Sequence, residues 1–448
     1  MPEKSKTYEK KSPRVYIRTF GCQMNVNDSE KAASLLEKEG YVQTSEVEKA
    51  DLIIVNTCSV RDKAEQKVHS LLGRLRRLKN GENTAIIGVM GCLAQQWGKG
   101  FFKRCPHINF VCGTHNIHRI PSLVKEAQLR KKYIEAVNFN GHVPSLDLCV
   151  PASKGKISSY VTIMQGCNNF CSYCIVPYVR GREESRPSGD IIREVQRLTE
   201  KGVQEIILLG QNVNSYGQTL EEETGFPELL GKIRDLHSVN RIRFTTSHPK
   251  DFSDDLINSF AEIDELCEHI HLPVQSGCNE VLEKMRRRYT VEEYLAKVER
   301  LRSICPDISI TSDVIVGFPG EEEKYFQKTI DLVKKVRFDN IFSFKYSDRP
   351  GVASQRFSDK IPEDMKNKRL ALLQDIQAKL TLEKNRAQEG KTEQVLVEGT
   401  SKGSDADIMG RTRGNRIVNF KGSSRLIGKT VQVKILRGYA HSLRGEMI

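Results

Sequence analysis

Three short apolar segments near the amino terminus each end in a cysteine, and this repeat restricts the fold more than any other feature. The segments are VYIRTFGC, DLIIVNTC and AIIGVMGC, which end at Cys22, Cys58 and Cys92. Predicted helices over 28–40 and 60–78 separate them, so strands and helices alternate. Such alternation predicts a parallel sheet with right-handed crossovers, in which the carboxyl ends of the strands share one edge. We therefore expect these three thiols, the N-terminal trio, to converge at that edge.

Each of these cysteines, taken alone, is also compatible with an ordinary buried residue in a β–α turn. All three, however, occupy the same place in repeating units of 36 and 34 residues. The shared position favours a common three-thiolate site over three unrelated buried residues.

A second group of thiols, Cys167-x3-Cys171-x2-Cys174, lies in the segment MQGCNNFCSYC and is called here the barrel trio. The 448-residue chain begins with a charged segment unlike a signal peptide, and its apolar runs are strand-sized. We therefore expect a cytoplasmic location, where clustered reduced cysteines indicate a metal or redox site. A structural zinc ion would need a distant fourth ligand, whereas three ligands on a four-iron cluster leave one iron open. The candidate zinc ligands are His248, His269 and His271.

Beyond a predicted linker over 141–159, the alternation of strands and helices resumes six times. Six parallel βα units in about 220 residues predict an α/β fold with an incomplete (βα)6 barrel, whose chemistry lies at the carboxyl ends of its strands. The barrel trio follows the first of these strands and so belongs at that end. The predicted strands are 160–165, 205–210, 241–247, 269–273, 309–317 and 340–346.

A predicted helix over 363–388 leads into a carboxyl-terminal segment with a different pattern. From Gln394 onward, short apolar strands alternate with Gly-rich turns, which predicts a small antiparallel β-barrel. Residues 411–448 contain nine Lys or Arg against Glu446 alone, and the whole chain has a formal net charge of +13. This imbalance favours contact with an RNA backbone over an ordinary solvated surface.

The barrel trio, with Tyr173 before its last cysteine, resembles the cluster loop of radical S-adenosylmethionine (SAM) enzymes. Further segments resemble the methylthiotransferase branch of that family. FGCQMNVNDSE, VNTCSVRDKAEQK and GVMGCLAQ surround the N-terminal trio, and CIVPYVRGREESRP, HLPVQSG, DVIVGFPGE and FKYSDRPGVAS lie in the barrel. GRTRGNRIVNF and the basic tail resemble the TRAM RNA-binding domain. The resemblance covers nearly the whole chain; Cys278, where the family usually has a small residue such as Ser, departs from it without affecting a ligand.

The resemblance implies three domains, over 14–150, 151–382 and 383–448, and two [4Fe-4S] clusters. The barrel trio would bind the radical-generating cluster, and the N-terminal trio an auxiliary cluster that carries or receives the inserted sulfur. Two SAM molecules would serve each turnover, one as methyl donor and one as radical source. A role in barrel packing remains open for each expected SAM contact. The expected SAM contacts are Tyr173, Gly210, Gln211, Asn212, Ser247, Gln275 and Asp313.

The implied reaction is insertion of a methylthio group at C2 of isopentenyladenosine next to the anticodon in tRNA. That C–H bond is unactivated, so cofactors rather than side chains must supply the chemistry. The expected partners are tRNA and a reductant protein such as a flavodoxin or ferredoxin, with the chain acting as a monomer away from membranes. The expected RNA contacts are Arg180, Arg182, Arg186, Arg411, Arg413 and Arg416.

Two alternatives remain open. A sister methylthiotransferase, acting on threonylcarbamoyladenosine in tRNA or on an aspartate of a ribosomal protein, would share both trios and the final domain. The segments YVRGREESRP and SDRPGVAS favour the isopentenyladenosine branch. A non-catalytic RNA-binding protein with zinc-stabilised domains is the alternative from a different class.

Overall fold

The computed structural model describes residues 12–59, 62–79, 85–129, 133–139, 143–144, 148, 155–401 and 403–448. The chain divides into two compact units. One comprises Met1–Pro151 with Val176–Gly181, and the other comprises Ala152–Ile175 with Arg182–Ile448. The short segment Val176–Gly181 therefore belongs to the first unit, although it follows the barrel trio directly in sequence. Cys149 and much of the predicted linker lie outside the described residues.

The first unit contains a six-stranded parallel sheet flanked by helices. Its strands are β1 (Arg14–Thr19), β2 (Val42–Gln43), β3 (Leu52–Thr57), β4 (Ile86–Gly91), β5 (Phe110–Cys112) and β6 (Ile134–Ala136). Its helices are α1 (Gln23–Lys38), α2 (Asp62–Lys79), α3 (Cys92–Trp97), α4 (Gly100–Arg104), α5 (Ile120–Gln128) and α6 (Val176–Arg180). The strand order is β2-β1-β3-β4-β5-β6. The predicted parallel sheet is confirmed, with β2, β5 and β6 as strands that the sequence analysis did not identify.

Strand β3 contains a continuous apolar run, Leu52–Val55, whose side chains are covered on both faces of the sheet. Ile53 and Val55 pack into a core on one face, whereas Leu52 and Ile54 pack into a separate core on the other. A strand covered by helices on both faces has no solvent-facing side chains, so its apolar residues do not alternate with polar ones.

The second unit begins with the strands and helices of the βα barrel. Its strands are β7 (Ser158–Thr162), β8 (Met164–Gln165), β9 (Glu184–Ser185), β10 (Glu205–Leu209), β11 (Arg241–Phe244), β12 (His269–His271), β13 (Ser309–Val316) and β14 (Asn340–Lys345). Its helices are α7 (Ser188–Glu200), α8 (Phe226–Arg234), α9 (Asp254–Glu262), α10 (Asn279–Lys284), α11 (Val291–Ile304), α12 (Glu323–Val336) and α13 (Glu363–Arg386). No helix in the described ranges is both long enough and apolar enough to span a bilayer.

All six predicted barrel strands are present, in two parallel sheets of three strands, β11-β10-β7 and β12-β13-β14. A single parallel bridge, from Ile242 to Leu266, lies between β11 and the start of β12. The third strand is shorter than predicted because Thr246 has a φ of +72°, outside the β region. The fourth is shorter because Pro273 lacks the backbone N–H that a ladder requires.

The carboxyl-terminal strands form a closed barrel in the order β15-β16-β17-β19-β18. Their bounds are β15 (Thr392–Ser401), β16 (Ser404–Thr412), β17 (Ile417–Lys421), β18 (Thr430–Gly438) and β19 (Leu443–Met447). The pairs are antiparallel as predicted, except that β17 and β19 run parallel. Alternate apolar residues such as Val395, Val397 and Phe420 fill the interior. The polar residues between them therefore face outward.

Candidate functional site

Cys58 and Cys92 leave the N-terminal sheet side by side. Thr57 of β3 pairs with Gly91 of β4, so the chain leaves two neighbouring strands at the same level. Gly91 has a φ of +95°, and a Cβ placed there would lie 2.5 Å from the carbonyl oxygen of Thr57. Glycine is required for this close approach. The two cysteines that follow therefore start from adjacent backbone positions.

Cys22 is brought to the same edge by the loop after β1. The backbone N–H of Phe20 donates to the carbonyl of Asn56 at 2.9 Å and continues the ladder between β1 and β3. A Cβ added to Gly21 would lie 2.8 Å from the Cβ of Cys58. The residue before Cys22 thus packs directly on Cys58, and the structure brings all three members of the N-terminal trio together.

Asn25, in the first turn of α1, ties these strand ends to each other. Its fully buried side-chain amide donates to the carbonyls of Phe20 at 3.0 Å and Thr57 at 2.9 Å. Its Oδ1 also accepts from the Sγ–H of Cys22 at 3.7 Å. One amide group therefore holds the two loops that carry Cys22 and Cys58.

Arg180 is buried in this unit, which corrects its predicted role as an RNA contact. The residue is 2% exposed, and its Nη2 donates to Asp28 Oδ2 at 2.6 Å and to Asn25 Oδ1 at 3.2 Å. The ring Nε2 of His115 contacts the Arg180 carbonyl oxygen at 2.9 Å. A guanidinium buried and bonded in this way is not available to a phosphate.

Within the N-terminal trio, burial disfavours the charged form of Cys92. Burial raises the pKa of the Cys92 thiol to about 12, the positive charge of Arg180 opposes this rise, and Cys58 and Cys22 add to it. Within the described ranges, no three His, Cys, Asp or Glu side chains are placed to hold a single metal ion. Thiols ligate as thiolates and lose their protons when metal binds. Three converging thiols beside a buried cation are a donor set that fits an iron–sulfur cluster.

The barrel trio lies in the loop directly after β8. Cys171 is buried, whereas Cys167 and Cys174 are partly exposed. The backbone N–H of Cys174 donates to the carbonyl of Cys171 at 3.0 Å, which closes a tight turn between them. Tyr173 packs edge-on against Phe318 with ring centroids 6.4 Å apart, and burial raises its pKa well above the ordinary value. Burial also raises the pKa of Cys167, and the neighbouring Cys171 adds to the rise. These thiols, too, form a donor set that fits a cluster.

Contacts from two other segments hold this loop in place. The Ser172 backbone N–H donates to the Met285 carbonyl at 3.0 Å, and its hydroxyl donates to the Lys284 carbonyl at 2.7 Å. The backbone N–H of Gly166 donates to the side-chain oxygen of Gln211. Gln211, expected to contact SAM, therefore positions the cluster loop through that oxygen.

Arg287 is a residue at this site that the sequence analysis missed. Its Nη1 lies 3.4 Å from the Sγ of Cys171, and its Nη2 donates to the carbonyl of Pro273 at 3.0 Å. The signal in the sequence is a run of three arginines, 286–288, between two apolar or aromatic residues that are buried, Met285 and Tyr289. Only the middle arginine of the run is buried.

Three of the expected SAM contacts lie just after the ends of β10, β11 and the short β12. Asn212 Oδ1, Ser247 Oγ and Gln275 Oε1 are buried and have no hydrogen-bond partner among the residues that the structure describes. A buried polar atom left unpaired costs about 1–3 kcal/mol. Thr246 and Gln275 also have positive φ values of +72° and +70°, and such strained backbone is frequent in ligand-binding sites. These residues fit a polar ligand such as SAM.

Two other expected contacts have a protein partner in the structure. A Cβ on Gly210 would lie 2.4 Å from the Cγ of Met164, so this glycine is needed for packing against β8. Asp313 Oδ2 lies 3.5 Å from Nε2 of His271, and the Asp313 carboxylate remains partly exposed. The geometry favours a packing role for Gly210 and leaves Asp313 accessible.

Glu183 is a second residue that the sequence analysis missed. Its backbone N–H donates to Oδ1 of Asn168 in the cluster loop at 3.2 Å, and its Oε2 accepts from the Ser215 hydroxyl at 2.8 Å. Burial raises the pKa of Glu183 to about 7, although the Ser215 hydrogen bond lowers it. Its Oε1 has no partner in the described part of the chain. The only sequence signal for Glu183 is its position in the segment GREES, shortly after the barrel trio.

Of the two other arginines after the barrel trio, only Arg182 faces solvent. Its guanidinium lies 5.8 Å from the ring centroid of Phe170. Arg186, also expected to contact RNA, is instead buried, forms an ion pair with Glu194 and donates to the Thr162 carbonyl at 3.3 Å. The ion pair and the hydrogen bond place Arg186 in the barrel rather than on an RNA-binding surface.

The three expected RNA contacts of the terminal barrel are also engaged within the protein. Their carboxylate partners include Glu268 and Asp339, which belong to the βα barrel, so these arginines join the two barrels. RNA contacts were predicted for these arginines because the sequence shows their positive charge but not their carboxylate partners. The pairs are Arg411–Glu398 at 3.2 Å, Arg413–Glu268 at 2.7 Å and Arg416–Asp339.

Other basic residues of the terminal barrel remain in solvent. Lys421, Lys429, Lys434 and Arg437 are all exposed and form no ion pair with the residues described in the structure. The guanidinium of Arg437 lies 5.4 Å from the ring centroid of Tyr439, which is 45% exposed. The four cations are called here the exposed basic residues. One of them, Arg437, lies beside the accessible ring of Tyr439.

Three family models match the chain. The uncharacterized protein family UPF0004 matches residues 14–113, the radical SAM superfamily matches residues 161–333, and the TRAM domain matches residues 386–448. The N-terminal trio lies within the first match and the barrel trio within the second.

Several curated proteins are similar to nearly the whole chain. The tRNA-2-methylthio-N(6)-dimethylallyladenosine synthase of Syntrophus aciditrophicus (strain SB) is 55% identical over 434 residues, which cover 97% of this chain and 94% of the relative. The protein of the same description from Syntrophobacter fumaroxidans is 52% identical over 441 residues, covering 98% of this chain and 96% of the relative.

Solved structures of low sequence identity share the fold. The radical S-adenosylmethionine methyltransferase TsrM from Kitasatospora setae, with cobalamin and a [4Fe-4S] cluster bound, has a TM-score of 0.55 at 13% identity, covering 77% of each chain. The cobalamin-dependent radical enzyme OxsB has a TM-score of 0.53 at 12% identity, covering 82% of this chain and 56% of that one. These likenesses bear out the predicted radical SAM architecture.

Proposed function

The chain belongs to the family of tRNA-2-methylthio-N(6)-dimethylallyladenosine synthases, which are radical SAM methylthiotransferases, and on this premise we propose how its residues serve that reaction. The reaction is insertion of a methylthio group at C2 of isopentenyladenosine next to the anticodon in tRNA. The observation that carries the proposal is two separate groups of three cysteines: one converges at the edge of the N-terminal sheet, and the other shares the short loop after β8.

The N-terminal trio and the barrel trio would each hold one [4Fe-4S] cluster. When bound, the clusters and SAM supply the one-electron chemistry and the sulfur that no side chain provides. The chain itself buries Cys58, Cys92 and Cys171, one or two members of each trio, and places a buried guanidinium near each trio. In the first unit, the buried guanidinium of Arg180 supplies the balancing positive charge, since it opposes the rise in the pKa of Cys92.

The proposed SAM site is formed by Asn212, Ser247 and Gln275. Their unpaired buried oxygen atoms would hydrogen-bond the polar groups of SAM, which supports a binding role. Asp313, with its partly exposed carboxylate, and Tyr173, in the cluster loop, complete the proposed site. Glu183 contacts the cluster loop through Asn168, and because burial raises its pKa to about 7 it would add no negative charge there below that pH.

The proposed tRNA-binding surface consists of the exposed basic residues together with Arg182. Cations that lack carboxylate partners are free to neutralise phosphates and release counterions. Tyr439 offers a ring on which an unpaired base can stack. This surface replaces Arg411, Arg413 and Arg416, whose guanidinium groups are engaged by carboxylates.

We further propose a cytoplasmic location and a low-potential reductant protein, such as a flavodoxin or ferredoxin, as electron donor. Both follow from the proposed reaction, since tRNA is the substrate and cluster chemistry needs single electrons. We also propose a monomer, because both trios lie in one chain.

The test is to reconstitute the full chain anaerobically and measure iron and acid-labile sulfide. Two clusters predict about eight irons per chain, and replacement of the N-terminal trio by Ala predicts about four. Reconstituted protein is then incubated with SAM, a strong reductant and isopentenylated tRNA, and the nucleosides are analysed by mass spectrometry.

A matched incubation with threonylcarbamoylated tRNA separates this function from that of the sister enzymes. Methylthiolation of only the isopentenylated substrate supports the proposal. Stoichiometric zinc without labile sulfide would support the RNA-binding alternative and overturn the enzymatic function.

A further inference from the structure

Arg287 is held at the barrel trio by three hydrogen bonds. The residue is 5% exposed, and its Nη1 donates to Cys171 Sγ at 3.4 Å. Its Nη2 donates to the Pro273 carbonyl at 3.0 Å, and its Nε donates to the Tyr289 hydroxyl at 3.2 Å. Tyr289 is fixed in turn, because its hydroxyl donates to the Val274 carbonyl at 2.7 Å. The guanidinium therefore has a defined position and orientation beside the sulfur.

The charge of Arg287 has no carboxylate partner among the residues that the structure describes. Buried Arg369, in the same unit, pairs with Glu321 at 3.0 Å. A buried charge is costly unless an opposite charge or strong hydrogen bonds compensate it. For Arg287, the ionisable groups in direct contact are the Tyr289 hydroxyl and the Cys171 thiol, and only the thiol loses its proton when it ligates a metal. A thiolate at Cys171 would therefore complete the charge balance of this buried site.

We propose that Arg287 is a positioning residue for the barrel cluster, which orients the Cys171 thiolate and raises the reduction potential of the cluster it ligates. The inference rests on the proposed function, which places a [4Fe-4S] cluster on the barrel trio. Reduction adds one electron from a low-potential donor, while no bond to Cys171 forms or breaks and no proton moves. A cluster held by Cys171 would gain negative charge on reduction, so the fixed, positively charged N–H donor of Arg287 would stabilise its reduced form. Hydrogen bonds to cluster sulfurs are known determinants of potential.

The middle arginine of the run differs from its two neighbours in backbone conformation and in burial. Arg286 and Arg288 have positive φ values of +60° and +58°, and both side chains are exposed. The backbone is thus left-handed on each side of Arg287, and of the three arginines only Arg287 is buried and contacts the cluster loop. Arg288 offers a matched control for replacement of Arg287, since it is the next residue and carries the same guanidinium group but is exposed.

The experiment measures the midpoint potential of the barrel cluster by EPR-monitored redox titration. The full chain is used with the N-terminal trio replaced by Ala, so that one cluster remains. Arg287→Met should lower the midpoint potential, with at least a tenfold loss in the equilibrium constant for reduction, or about 59 mV for one electron. Arg287→Lys, which keeps the charge but not the planar donor, should lie between the parent and Arg287→Met. Arg288→Met should leave the potential unchanged.

An unchanged potential in Arg287→Met, with the cluster present, overturns the inference. A parent protein without iron and labile sulfide overturns the proposed function instead, so the two failures are distinguishable. If neither Arg287 variant retains the cluster, pulsed EPR of the reduced parent, labelled with guanidino-15N arginine, decides the question. A 15N coupling to the cluster supports the N–H···S contact, and its absence contradicts the contact.

Discussion

Arg180 and Asp28 form a buried ion pair in the first unit, with Nη2 and Oδ2 2.6 Å apart and each side chain 3% exposed. The same guanidinium donates to Asn25, whose amide nitrogen holds the loops that carry two members of the N-terminal trio. Its charge also lowers the pKa of Cys92 against the effect of burial. The ion pair therefore links the stability of this unit to the electrostatics of its cysteines.

Replacement of Arg180 by Met should destabilise the apoprotein by about 3–5 kcal/mol, because it leaves the Asp28 carboxylate buried without its partner. The measurement is the urea midpoint under anaerobic, reducing conditions. Asp28→Asn combined with Arg180→Met should recover part of the loss. Arg182→Met, at an exposed position, should change stability by less than about 0.5 kcal/mol. Equal effects at the two positions would contradict the buried ion pair.

Single replacements in the two trios should separate the two halves of the reaction. Cys174→Ala removes a ligand of the barrel cluster and should abolish production of 5′-deoxyadenosine. Cys58→Ala affects only the first unit, so this variant should still cleave SAM with a strong reductant but should not methylthiolate tRNA. Both products are measured in the same incubation. Normal methylthiolation by Cys58→Ala would show that the N-terminal trio is structural.

Replacement of the exposed basic residues should weaken tRNA binding in a salt-dependent manner. Lys434→Gln and Arg437→Gln together remove up to two phosphate contacts, so the slope of log K against log salt should fall by about 0.7–0.9 for each. Binding is measured by filter retention over a range of salt concentrations. Lys379→Gln, on α13, removes an exposed charge already paired with Asp375 and serves as the control. A slope unchanged by the double replacement would remove these two residues from the proposed surface.

Glu183 should make stability fall as pH rises from about 4.5 to about 7. Burial raises its pKa from an ordinary 4.5 to about 7, so the folded chain retains a proton that the unfolded chain releases in this window. Glu183→Gln should match the parent at about pH 5 and exceed its stability at about pH 8 by 1–3 kcal/mol. The measurement compares the urea midpoints of the two apoproteins at both pH values. A constant difference between them would show that Glu183 does not titrate in this range.

The strands and the convergence of the N-terminal trio follow from local sequence patterns. Leu52–Val55, the first four residues of β3, are apolar on both faces, which indicates a covered parallel strand without knowledge of its neighbours. Parallel strands also place their carboxyl ends at one edge, so cysteines at three strand ends are close in space. These features depend on periodicity and connection rules rather than on particular tertiary contacts.

The environments of the arginines do not follow from sequence. Arg180 and Asp28 are 152 residues apart, and no local pattern indicates that they meet. Arg287 is buried between two residues, Arg286 and Arg288, that have left-handed backbone. The run of three arginines in the sequence predicts neither this conformation nor the burial of its middle residue. In the sequence, the arginines of the terminal barrel show only their positive charge, which favours RNA contact. Their carboxylate partners can be identified only in the folded structure.

The assignment of Val176–Gly181 to the first unit has a consequence for the order in which the chain folds during synthesis. Domains generally fold as they emerge from the ribosome, amino-terminal part first. Here, the carboxylate of Asp28 emerges long before Arg180, the cation that neutralises it. The first unit therefore reaches its final state only after the first barrel strand and the barrel trio have been translated. The N-terminal cysteines are likewise synthesised well before Arg180, the cation that opposes the rise in the pKa of Cys92 in the folded unit.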